Sequence, residues 1–185
     1  MTDLSQQLTA LGYEGLFLQP GNAALDRLWA EPGMADQLAQ LAVTAEAPLD
    51  ARFLAAEILF ERQPDYPPEG ANVALALVYA HALQTTDMGN LWGLPGEISP
   101  FAGQHLVALG KPIIAELMPL LEDARPVFYE GSEEATLGNR YQYRVKDFAA
   151  FFLSHLCGVA YPVHQDPGQR DRKIAALRPR LADCL

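Results

Sequence analysis

Apolar residues in this chain recur three and four positions apart, and glycine or proline cuts the pattern before any helix grows long. No segment sustains the two-residue alternation, rich in β-branched side chains, that marks a half-buried strand. Helices in adjacent pairs are therefore the only regular structure expected, and the predicted fold class is all-α. TDLSQQLTALG predicts a helix capped at Asp3 and stopped at Gly12, with Leu4, Leu8 and Leu11 on one face. After Pro20-Gly21, Leu25, Leu28 and Trp29 keep helical spacing. MADQLAQLAVTAEA carries Leu38, Leu41 and Ala45 on one stripe. Beyond Pro48, LDARFLAAEILFERQ has Asp50 near its first turn and turns Phe53, Ala56, Leu59 and Phe60 inward.

Pro64, Pro67 and Pro68 mark a turn before EGANVALALVYAHAL. That helix is apolar nearly all round from Val73 to Leu83, so it is expected to sit centrally, covered on both sides. Ser99 followed by Pro100 opens SPFAGQHLVALG, Gly110 ends it, and Pro112 opens KPIIAELMPLLED. A Gly- and acid-containing loop over 124–139 leads to YQYRVKDFAAFFLSHLCG, ended by Gly158. A basic helix follows from about Asp166 to Asp183, where Pro179 is expected to kink or shorten it.

One domain over 1–185 is expected, long enough to bury a real core. Half the residues are hydrophobic and 19% are charged, which excludes a disordered chain. The net charge is -10, unevenly placed: before position 140 stand nineteen acids and five bases, and from Arg140 onward eight bases and four acids. The overall charge argues against nucleic acid as a partner, and the basic quarter is expected to offset acidic neighbours within the fold. The first basic residue is Arg27, so no secretory leader is expected, and VALALVYA at 73–80 is too short to cross a membrane. A cytoplasmic location follows, with Cys157 and Cys184 as reduced thiols.

Two stretches repeat. RFLAAEIL (52–59) and KDFAAFFL (146–153) share a basic residue, an alanine pair and a final leucine in register, each after leucine-rich helical text. The alanines let two helices approach closely, and the basic residue can reach carbonyls or an acid at the end of the preceding helix. With HLVALGKPIIAELMPLLED and PLDARFLAAEIL, this text resembles that of bacterial HEAT-like repeats over residues 33–62 and 99–157. The resemblance implies a short α-α superhelix, with an irregular helical bundle as the alternative, and a usual task of binding another macromolecule. It implies no catalytic residues.

Searching for chemistry yields little. No H-E-x-x-H, C-x-x-C, G-x-S-x-G or phosphate loop is present. The stretch DMGNLWGLPGEISPFAG (87–103) is read first as a plug built on Trp92 and second as a binding loop. Aromatic and basic residues gather at Arg140, Tyr141, Tyr143 and Arg144, the composition of an interaction hot spot. Trp92 and these four are the candidate binding residues. No catalytic residue, metal ligand or cofactor is assigned. The expected function is a protein-binding module, an adaptor, inhibitor or immunity-type partner of a basic protein. The alternative is a small enzyme, with or without a metal, using His81, His105, Asp87 or Glu97 under the 87–103 loop.

Overall fold

A computed structural model describes residues 3–131 and 133–184. Among them are ten α-helices and one hairpin of two-residue strands, so the fold is all-α. Within the single span expected from the sequence, the chain gathers into two compact units, Met1–Val78 and Tyr79–Leu185.

Unit 1 contains α1 (Leu4–Tyr13), a π-helical turn, α2 (Ala23–Trp29), α3 (Met34–Val43), α4 (Leu49–Arg62) and the first half of α5 (Ala71–Thr85). Asp3 caps α1 as expected, its Oδ1 accepting the Ser5 N–H at 3.3 Å. The covered, central position expected for α5 belongs to α4. Every residue from Ala51 to Leu59 is buried, and α4 packs against both α1 and α3. On α5, Leu75 and Val78 are buried, but Val73 and Leu77 are 71% and 48% exposed. An all-apolar pattern marks helices able to take cover on two sides; which one receives it depends on where its neighbours are threaded.

The repeated segment behaves in unit 1 as its sequence implies. Ala55 and Ala56 are fully buried, and Arg52 lies inside the unit. Its Nε donates to the Ala42 carbonyl of α3 at 3.0 Å, and its Nη2 donates to the Ala74 carbonyl of α5 at 2.9 Å. One guanidinium thus satisfies carbonyls from both neighbouring helices.

Unit 2 holds the second half of α5, the hairpin β1 (Gly93–Leu94) and β2 (Glu97–Ile98), α6 (Ala102–Ala108), α7 (Pro112–Leu117), α8 (Glu133–Tyr141), α9 (Val145–Leu156) and α10 (Pro167–Leu181). Gly110, at φ +68°, separates α6 from α7. The second copy of the repeat lies in α9, with Ala149 and Ala150 fully buried. Here the basic residue differs: Lys146 pairs with Asp171 of α10 at 2.8 Å.

Part of the expected 124–139 loop is helix. Glu133–Tyr141 forms α8, whose Leu137 is exposed and whose anchor is a glycine. A Cβ at Gly138 would stand 2.2 Å from the Tyr129 ring. A polar helix held by ring-to-backbone contact shows no hydrophobic period. Helix α9 begins at Val145, after Gln142 turns the chain at φ +50°. The Asp147 carboxylate marks its start by accepting the Arg144 N–H at 2.9 Å. Helix α10 runs two residues beyond Pro179 before becoming a 3-10 turn.

Part of the basic final quarter is spent on acids inside unit 2. Arg144 and Lys146 meet Asp171, Arg170 meets Asp147, and Arg178 meets Glu122. The two bonds to Asp171 hold its carboxyl below the usual carboxylate range.

The cysteines are not free. Cys157, at the end of α9, and Cys184, in the 3-10 turn after α10, form a disulfide with Cα atoms 5.7 Å apart. Sequence spacing alone gave no sign that α9 and α10 pack side by side and bring their ends together. Closing a loop of this length restricts the unfolded chain by about 3–4 kcal/mol. Thiol titration of the denatured, unreduced protein is expected to find no free thiol, and reduction to lower the denaturation midpoint. Two titratable thiols in protein never exposed to reductant would contradict the bridge. No helix is long and apolar enough to cross a membrane among the described residues.

A candidate binding cleft in unit 2

The 87–103 segment is a plug in its own unit. Trp92 has no exposed surface and meets Phe152 of α9 edge-on at 6.4 Å between ring centroids. The turn behind it leaves no room for a side chain: a Cβ at Gly93, φ +86°, would lie 2.2 Å from the Glu97 carbonyl oxygen. A Cβ at Gly103 would lie 2.8 Å from the Trp92 carbonyl oxygen. The plug is stitched to an extended segment at 126–130. Gly89 N–H donates to the Phe128 carbonyl at 2.6 Å, the Tyr129 hydroxyl to the Gly93 carbonyl at 2.8 Å, and Glu130 N–H to Asn90 Oδ1 at 3.0 Å. Trp92 is therefore a core residue and offers no surface to a partner.

His81 and His105 are half-buried, while Asp87 and Glu97 are exposed. Among the described residues, no three His, Cys, Asp or Glu side chains converge as a metal site. The residues nominated for metal chemistry under the loop are not assembled for it.

Along 126–130 side chains alternate. Val127 and Tyr129 point inward and are buried, whereas Pro126, Phe128 and Glu130 face out. Val127 N–H donates to the Tyr143 carbonyl, and Pro126 forms an isolated antiparallel bridge with Arg144. The backbone of this segment is thus held on both edges, which fixes Phe128 although its ring is 58% exposed. Beside it opens a cleft of about 670 Å³, lined mainly by Pro126, Phe128, Asn139, Gln142, Arg144 and Pro167.

Among the described residues three polar ones line this cleft, and two are committed to the fold. Asn139 uses both ends of its amide on the Tyr129 backbone, accepting from N–H at 3.2 Å and donating to the carbonyl at 3.0 Å. Arg144 grips Asp147 through Nε at 3.0 Å and Nη2 at 3.0 Å, and reaches Asp171 through Nη1 at 3.2 Å. The third, Gln142, has an exposed side chain and a left-handed backbone that costs a non-glycine residue about 1–2 kcal/mol.

Its strain is sustained from below. Arg170, 1% exposed, donates through Nη2 to the Tyr141 and Gln142 carbonyls at 2.9 and 3.0 Å. Nη1 donates to the His164 and Gln165 carbonyls at 3.1 and 2.7 Å, and Nε lies 3.1 Å from Asp147 Oδ2. The Arg170 guanidinium also stands 4.9 Å from the Tyr143 ring centroid. Tyr143 is buried, which pushes its hydroxyl pKa up.

The five residues nominated from the sequence therefore separate. Trp92 and Tyr143 are internal, Arg144 borders the cleft while bound to two carboxylates, Arg140 is exposed, and Tyr141 is half-buried beside Tyr143. Phe128 and Gln142, both exposed at the cleft, were not among them. The alternation of PVFYE was a usable signal for Phe128; the left-handed turn at Gln142 had none. The chain matches no protein-family model, no curated protein and no solved structure.

Proposed function

We propose that this protein is a non-catalytic binding module of helical-repeat type whose partner engages the unit 2 cleft. The observation that carries the reading is the division of labour around it. Asn139 and Arg144 spend their hydrogen-bonding groups on the fold, leaving an immobilised apolar surface around Phe128 and the amide of Gln142. Such a surface binds well, and no acid or nucleophile stands among its described lining residues. The partner remains a protein, and the acidic excess of the chain favours a basic one by speeding encounter. The Cys157–Cys184 bridge weighs against the cytoplasmic setting expected from the sequence, and the redox state of the two cysteines in cells decides it.

Affinity capture from a lysate of the native source tests this reading with two variants. Phe128→Ala removes the exposed ring and is expected to lower capture of the partner by about tenfold or more, as for an aromatic hot spot. Gln142→Gly relieves the left-handed backbone, so it is expected to raise stability by up to about 1 kcal/mol while weakening capture. Undiminished capture by both variants would overturn the cleft assignment.

A further inference from the structure

A second surface lies in unit 1. Val73 and Leu77 stand one helical turn apart on α5, exposed by 71% and 48%, and Val43 at the end of α3 is 40% exposed. Beneath them the buried Arg52 guanidinium joins the two helices, binding the carbonyls of Ala42 on α3 and Ala74 on α5. Exposed acids adjoin this patch in the chain: Glu46 and Asp50 between α3 and the first turn of α4, and Glu69 just before α5. Glu46 is near enough to act electrostatically on Arg52.

The charge of the unit says what fits there. Unit 1 has eleven acids and three bases, a net charge of -8. Of those bases, Arg52 is buried and Arg62 is paired with Asp26. A second copy presenting the same face would bring the same negative charge to the contact and be repelled. A helix with an apolar ridge and flanking lysines or arginines meets both requirements, since its ridge covers Val43, Val73 and Leu77 while its cations meet the acidic rim.

We infer that the Val43–Val73–Leu77 face of unit 1 is a docking site for a cationic amphipathic helix of a partner protein. It shares with the proposed function only the class of activity and is independent of the unit 2 cleft. The test uses the full chain and a synthetic Leu/Lys amphipathic helix, titrated by fluorescence anisotropy. Controls are a Leu/Glu helix of the same pattern and a Leu/Lys peptide scrambled to lose the helical period. The Leu/Lys helix is expected to bind, with both controls at least about tenfold weaker. Val73→Ser/Leu77→Ser is expected to lower affinity by about tenfold or more with an unchanged circular dichroism spectrum, whereas Phe128→Ala leaves it unaltered.

Equal binding of the scrambled peptide would reduce the effect to charge alone and overturn the site. So would full affinity in the double serine variant. Concentration-dependent dimerisation that this variant abolishes would assign the face to a second copy and also overturn the proposal. Loss of binding in Phe128→Ala would place the helix in the cleft instead, so failure of this site and failure of the cleft are read separately.

Discussion

Asp147→Ala is expected to cost about 3–5 kcal/mol, enough to unfold much of unit 2 in a protein of ordinary stability. Asp147 has no exposed surface and sits where three demands meet. It accepts the Arg144 N–H at the start of α9, binds the Arg144 side chain through both oxygens, and lies 3.1 Å from the buried Nε of Arg170. Removing the carboxylate leaves the Arg170 charge inside the unit without its counter-ion, and a buried charge that loses its partner is far more costly than the intact pair is stabilising. Denaturant titration followed by circular dichroism measures the loss. A change under about 1 kcal/mol would show that the pair is not the buried linchpin its geometry describes. Arg144→Ala provides the comparison: its side chain is 14% exposed, so truncation there is expected to cost less.

Trp92→Ala carries the other large effect. The indole is fully buried against Phe152, and truncation opens a cavity where Gly93 and Gly103 allow the backbone no slack to collapse. Large aromatic truncations of this kind cost about 3–5 kcal/mol. The loss is expected in thermal and chemical unfolding. If Trp92 were instead a contact for a partner, the variant would keep its stability and lose only binding. The two outcomes separate plug from binding loop in one experiment.

The sequence was most legible where apolar spacing and punctuation agreed. Asp3 at the cap of α1, Gly110 and Pro112 between α6 and α7, the alanine pairs of α4 and α9, and the reach of Arg52 to a preceding helix all appear as read. The misreadings have separate physical causes. Helix α8 is polar and anchored by Gly138 on the Tyr129 ring, which no period encodes. Val73 and Leu77 are exposed because α4, rather than α5, is enclosed by its neighbours. Cys157 meets Cys184 through the packing of α9 and α10, a long-range fact invisible in the spacing. Arg170, at the centre of unit 2, reads in the sequence as one more base in a solvated helix. Composition cannot distinguish an arginine that binds four carbonyls from one that faces water.

Those long-range contacts also explain why the residues at 140–144 do not share one outward face. The fold draws Tyr143 inward and commits Arg144 to Asp147. What remains outward is Phe128, brought alongside by the bridge between Pro126 and Arg144.

Position 128 is accordingly where binding is best interrogated. A photoreactive phenylalanine analogue installed there, and separately at the similarly exposed Phe101, is irradiated in cells of the native source. One discrete protein adduct is expected from position 128, absent from position 101 and diminished by Gln142→Gly. Indistinguishable adducts from the two positions, or none from position 128, would contradict a partner in the cleft.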